Sequence, residues 1–169
     1  MREKTVTEPF EFTIVATGLD HEADDFEDRF FEAGCDDATI MVARGSILLR
    51  FARRAGSLEE AVAAAVADTR RAGATVDRVE PDPLVSLSDI AERAGLTRAA
   101  VSNYAKGERG REFPHPVARV TSESPLWDWS EVARWLHGRG QVAEGAVRDA
   151  AVIKAANERL DNERRHEAA

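Results

Sequence analysis

The chain has 169 residues and a net charge of −8, room for one or two domains with real hydrophobic cores. Its single cysteine, Cys35, excludes an internal disulfide and with it the framework of a small secreted protein. No apolar run approaches the roughly 20 residues that span a bilayer, and the start, Met1 to Glu8, lacks the apolar centre of a signal peptide. A cytoplasmic protein without a membrane partner is the expectation.

Taken in order, Phe10, Phe12, Ile14 and Ala16 alternate on one face and predict a strand. The acid-rich stretch from Asp20 to Asp28, with Phe26, Phe30 and Phe31 at helical spacing, predicts an amphipathic helix ending near Gly34. Residues 38–43 and 46–52 are two β-rich runs around Arg44-Gly45, a hairpin signal. Ser57 and Glu60 have the spacing of a capping box, and the Ala-rich helix they open runs to about Arg71, before Gly73. Residues 74–80 supply a last strand.

The order β-α-β-β-α-β predicts a ferredoxin-like domain over residues 1–83, an antiparallel sheet with two helices on one face. Pro81-Asp82-Pro83 is the expected hinge to a second module. The charge divides with it. Residues 1–83 hold 10 Lys/Arg against 18 Asp/Glu, residues 84–139 hold 8 against 7, and residues 140–169 hold 5 against 6. The near-neutral middle permits nucleic-acid binding without implying strong non-specific affinity.

Residues 87–107 read as two short helices around one tight turn. Ser88 is the expected cap of the first, with Asp89 at the positive end of its dipole. Ile90, Ala91 and Ala94 share a face, Gly95 makes the turn, Leu96 plugs the corner and Thr97 caps the second helix. Val101 and Tyr104 face inward, and Gly107 ends the helix. The outward positions are then Thr97, Arg98, Ala99, Ser102, Asn103 and Lys106, slim side chains suited to a major groove. An ordinary helical hairpin shares some of these features; the joint pattern favours a helix-turn-helix.

Beyond a turn-rich loop at 108–116, Val117 to Val120 and Pro125 to Trp129 are short extended runs around residues 121–124, a small β-wing. Ser130 is the expected cap of a helix whose Val132, Trp135 and Leu136 share a face. The run Asp89-Ile-Ala-Glu-Arg-Ala-Gly-Leu-Thr97, then Phe113-Pro-His-Pro-Val117, then Ser124-Pro-Leu-Trp-Asp-Trp-Ser-Glu-Val-Ala-Arg-Trp-Leu136 resembles the winged helix-turn-helix of the MerR superfamily, especially its short AlpA/excisionase-like members. The chain is also similar to small bacterial helix-turn-helix proteins of undefined role. The MerR-type resemblance covers residues 84–137, about a third of the chain, within a domain drawn at 84–139. It implies double-stranded DNA as partner. MerR activators are similar in having a long antiparallel coiled coil and often a metal- or drug-sensing C-terminus. One short final helix and one cysteine do not match that, so metal-responsive activation is not implied.

Trp127, Trp129 and Trp135 suit a core or a half-buried platform better than base stacking. Arg109, Arg111 and Arg119 surround the wing, and Arg111 and Arg119 are the favoured phosphate contacts. Asp20, His21, Glu22, Asp24 and Asp25 match no metal-loop spacing, and acids at a helix start suit its dipole. Cys35 lies beside Asp36 and Asp37, which raise a thiol's pKa. His115 and His137 have no Ser or Cys partner at a recognisable spacing. No cofactor, metal or enzymatic activity is expected. Arg53-Arg54 is a basic spot, either a partner contact or paired with Glu59 or Glu60.

The last segment, 140–169, carries a helix from Val142 to about Arg165. Ala143, Ala150 and Asn157 alternate with Ala146, Ile153 and Leu160 in a short, alanine-heavy heptad-like seam, which suits either a homodimer whose register Asn157 fixes or packing of the helix on the winged domain, with the homodimer favoured. The expected protein is thus a sequence-specific transcriptional regulator. The second reading is an antitoxin-like inhibitor, whose acidic N-terminal domain binds a partner protein while the helix-turn-helix represses its operon. An RNA-binding role for the sheet is disfavoured, because the phenylalanines of the first strand share its core-like face.

Overall fold

The computed structural model describes residues 8–107 and 111–169. It is α+β, with a four-stranded antiparallel sheet and, among the described residues, six helices, none long and apolar enough to cross a membrane. The chain forms two compact units, one of residues up to Pro81 together with Ala155–Ala169, the other of Asp82–Lys154.

The first unit runs β1 (Phe10–Thr17), α1 (Phe26–Glu32), β2 (Ala38–Ala43), β3 (Ser46–Arg53), α2 (Leu58–Arg71) and β4 (Thr75–Glu80). Its strands lie in the order β2-β3-β1-β4, every neighbouring pair antiparallel. The alternation seen in β1 sets the core: Phe12 lies opposite Phe51 and Ile14 opposite Leu49, all four buried. The two phenylalanine rings stack with centroids 5.4 Å apart. Arg44 and Gly45 both have positive φ, 50° and 78°, the backbone that a two-residue hairpin needs to follow the strand twist. On α2 the buried residues are mostly small, Ala61, Val62, Ala65 and Thr69, so the helix lies close over β1 and β4. Ser57 accepts the Glu60 N–H at 3.1 Å as the helix cap.

Two expectations for α1 are corrected. The first part of the acidic stretch, residues 20–25, does not join the helix: Asp20 accepts the Glu22 N–H through its carboxylate at 3.0 Å and the Ala23 N–H through its carbonyl at 3.2 Å. Such local bonds compete with helical ones, and α1 begins only at Phe26. Phe31 is also 68 % exposed, because it lies five residues from Phe26 and misses the face that Phe26 and Phe30 share.

Arg53 is the hub of this unit rather than a basic surface spot. It is 8 % exposed and donates to both carboxylate oxygens of Asp37 (2.8 and 3.0 Å), to Asp68 (2.8 Å) and to the Gly34 carbonyl (2.7 Å). One guanidinium thus ties the end of β3 to the turn after α1, the approach to β2 and the last turn of α2. Its partners are Asp37 and Asp68, not Glu59 or Glu60, and the Asp37 bonds raise its pKa further. Cys35, buried nearby, has its thiol pKa pushed up chiefly by burial, with Asp68 and Asp37 adding smaller effects.

The final helix, α6 (Glu144–Glu167), has 24 residues. From Ala155 onward it belongs to the first unit. Its seam is not free for a second copy. The Asn157 carboxamide accepts the Val79 N–H at 2.8 Å and donates to the Val79 carbonyl at 2.9 Å, sealing β4 as a neighbouring strand would. Leu160 is 4 % exposed and sits beside Ala74 and Val76. Arg164 pairs with Asp77 of β4, and Glu163 with Arg70 of α2.

The second unit contains β5 (Leu84–Val85), α3 (Leu87–Ala94), α4 (Arg98–Ala105), β6 (Trp127–Asp128), α5 (Trp129–Gly138) and α6 up to Lys154. β5 pairs antiparallel with β6, Val85 opposite Trp127. Val85, Ile90, Val101, Trp127, Val132 and Leu136 form the centre of one core, which Ala150 of α6 joins. Burying such side chains stabilises by about 1.5–3 kcal/mol each. Trp127 and Trp129 are core residues, and the Trp127 indole N–H reaches the Pro114 carbonyl at 2.9 Å. Asp128, not Ser130, caps α5: its carboxylate accepts the Ser130 N–H at 2.8 Å and also pairs with Lys154 of α6.

Candidate nucleic-acid interface

α3 and α4 are set by caps at both starts and one left-handed turn between them. The cap of α3 is Ser86 rather than Ser88. Its hydroxyl accepts the Asp89 N–H at 3.2 Å, while the Asp89 carboxylate accepts the Ser86 N–H at 2.8 Å. That backbone bond, then the Ser86 hydroxyl, holds the Asp89 carboxyl below the usual range. The chain reverses at Gly95, φ 66°, where a side chain would strain the backbone. The Leu96 N–H bonds the Ala91 carbonyl at 2.9 Å, and the Thr97 hydroxyl accepts the Ala100 N–H at 3.1 Å to start α4.

Val101 and Tyr104 anchor α4 in the core. At about 100° per residue, Arg98, Ser102, Lys106, Ala99 and Asn103 fall in one arc of about 140° centred away from those anchors. Arg98, Ala99 and Lys106 are exposed, and Ser102 and Asn103 are half-buried. The arc combines two cations, a hydroxyl and a carboxamide around one methyl group, a mixture that matches base edges and thymine methyls. Thr97 is exposed, but its hydroxyl oxygen is engaged as the cap.

Arg111 and Arg119 are carried by other segments. Arg111 is exposed, and its carbonyl accepts the Trp135 indole N–H at 3.1 Å. The Trp135 ring meets Tyr104 of α4 edge-on, centroids 5.0 Å apart, so Arg111 is moored beside the last turn of α4. Arg119 lies on the segment expected as a wing, which holds one bridge between Ala118 and Leu126 with backbone bonds of 2.8–3.2 Å. Exposed Arg119 takes a positive φ of 52° and its carbonyl accepts the Ser122 N–H at 3.0 Å, making it the start of the turn. Val117 and Val120 beside it are exposed as well. Arg109 lies outside the described residues.

One cation escaped the sequence reading. The Arg139 guanidinium stands 5.2 Å from the Tyr104 centroid and 4.9 Å from that of Trp135, a cation held by two ring faces with its donors still exposed. The available signal was its position four residues after Trp135, at the C-cap of α5. Tyr104 is fixed in turn by the Gln141 carboxamide, which donates to its hydroxyl at 2.7 Å. His137 bonds the Val142 carbonyl through Nδ1, and His115 is exposed. In the acidic stretch Asp25 pairs with Arg29, and among the described residues no three His, Cys, Asp or Glu side chains gather as a metal ion would need.

No protein-family model matches the chain, and no curated protein or solved structure matches it.

Proposed function

We propose that the protein is a sequence-specific DNA-binding transcriptional regulator of the cytoplasm that reads a major groove with α4. The observation that carries this reading is the outward arc of Arg98, Ala99, Ser102, Asn103 and Lys106, on a helix whose other side is anchored by Val101 and Tyr104. A docked helix reads sequence only if its register on the scaffold is fixed, and the Gly95 turn with its two capped starts supplies that. The second unit is then a winged helix-turn-helix of MerR type with a minimal wing, in which Arg111 and Arg119 hold phosphates while α4 meets the bases. The first unit, by its strand order and its two crossing helices, is read as a ferredoxin-like module. Selection of the purified chain against random duplex DNA tests the reading. On the selected site, Arg98→Ala and Asn103→Ala each weaken binding by about 1–3 kcal/mol per lost base contact, with the fold intact. Unchanged affinity in both removes α4 from the groove, and a selection without enrichment refutes DNA recognition.

The second reading, an antitoxin-like inhibitor, is favoured by one observation: the 10 Lys/Arg against 18 Asp/Glu of residues 1–83, a surface suited to a basic protein. Co-expression with a basic protein encoded beside it is the test; a stoichiometric complex supports it.

A further inference from the structure

We propose that the protein pairs with a second copy of itself along the outer edge of β2, joining two sheets into one. The sheet has two edges, β2 and β4. Asn157 occupies the peptide group of Val79 on β4. β2 carries none of the usual protection. Its sequence, Ala38-Thr-Ile-Met-Val-Ala43, has no charge and no proline, and Met41 and Val42 are 49 % and 40 % exposed. Native proteins blunt such edges with lysine, proline or a bulge, because an open row of N–H and C=O groups templates another strand.

The pairing of β2 with β3 fixes which groups are open. The Ala52 N–H bonds the Asp37 carbonyl at 3.1 Å, and Ala43 faces Ser46 across the two-residue turn. Peptide groups alternate along an antiparallel strand, so those of Asp37, Thr39, Met41 and Ala43 face β3, and those of Ala38, Ile40 and Val42 face outward. The Ala38 N–H is already bonded to the Cys35 carbonyl at 3.1 Å. Among the described residues the open donors are therefore Ile40 and Val42.

A second copy completes this pattern. With Ile40 opposite the partner's Ile40 about a two-fold axis, each Ile40 N–H reaches the other Ile40 carbonyl, and each Val42 N–H reaches an Ala38 carbonyl. Both open donors are satisfied, and the Ala38 N–H, taken by Cys35, is not needed. The same register brings exposed Arg44, in the hairpin turn just after β2, to the level of exposed Asp36 of the other chain, in the turn just before it. A shift of two residues keeps the hydrogen-bond alternation but loses both ion pairs. This end-to-end charge match under self-pairing argues for a second copy rather than a foreign strand.

Sedimentation velocity of the full chain across the micromolar range, without DNA, tests the pairing. The expected result is a reversible dimer in which the Ile40 and Val42 amides gain hydrogen-exchange protection with concentration, while Thr39 and Met41, bonded to β3, do not change. Arg44→Asp faces Asp36 with a like charge and weakens the dimer about tenfold; the double reversal Asp36→Arg/Arg44→Asp restores it. Val42→Pro removes an outward donor without breaking a bond to β3 and abolishes pairing. A wild-type chain monomeric throughout the range overturns the proposal, as does a dimer whose Ile40 and Val42 amides stay unprotected. Because no DNA is present, a chain that pairs but binds no duplex overturns only the proposed function.

Discussion

Replacing Arg53 with methionine removes the guanidinium but keeps an unbranched side chain of similar length. The loss is four hydrogen bonds of 2.7–3.0 Å, three of them to the carboxylates of Asp37 and Asp68. Those side chains are only 28 % and 17 % exposed, so neither is fully rehydrated when Arg53 goes; Asp68 keeps Arg71 at 2.9 Å, and Asp37 bears most of the loss. Breaking one side of a largely buried ion pair costs about 3–5 kcal/mol, mostly from the stranded charge. A whole domain is stable by about 5–15 kcal/mol, so the first unit loses a large share of its margin. Urea unfolding followed by far-UV circular dichroism measures the change. The cost is assigned to stranded charge, so Arg53→Met/Asp37→Asn/Asp68→Asn must recover part of it. A loss under about 1 kcal/mol, of the size of an exposed pair, refutes the hub. A triple variant no more stable than the single one refutes the stranded-charge account.

Leu160→Glu is expected to unfold the first unit rather than only separate two copies, because it exchanges a buried leucine for a carboxylate. Core truncations of leucine alone cost about 2–5 kcal/mol, and a thermal midpoint unchanged from wild type contradicts the packing beside Ala74 and Val76. Asp89→Ala removes a capping box and costs about 1 kcal/mol. The Asp89 carboxyl is held low in the folded chain, so its contribution is full above the unfolded carboxyl value of about 3.9 and is lost as pH falls through the folded one. Stability curves of wild type and Asp89→Ala therefore converge only in strong acid. If Arg139 on its two rings meets a phosphate, Arg139→Ala weakens binding equally for all sequences and lowers the slope of log affinity against log salt by about 1. A sequence-dependent loss, or an unchanged slope, shows that Arg139 makes no phosphate contact.

What the sequence by itself determined were features written within a few residues: the alternation of β1, the Arg44-Gly45 hairpin, the Ser57 and Thr97 caps, the Gly95 turn and the inward Val101 and Tyr104. Each depends on local backbone geometry or on a short period, so neighbours suffice to reveal it. Within that local range the reading also failed where near-equivalent residues compete. Ser86 and Asp128 cap helices where Ser88 and Ser130 also fit, and Phe31 sits one residue off the buried face. The outward arc of α4 follows from its period. Which cations stand near it does not: Arg139 rests on Tyr104, distant in sequence, and Arg111 is moored by Trp135. The tertiary structure alone decided the partners of Arg53, the duty of Asn157 and the burial of Leu160. A buried cation takes whichever carboxylates the packing brings within about 3 Å, and a carboxamide can bond a backbone edge or its twin in a second helix. Composition and periodicity are the same in both cases; only the position of β4 distinguishes them.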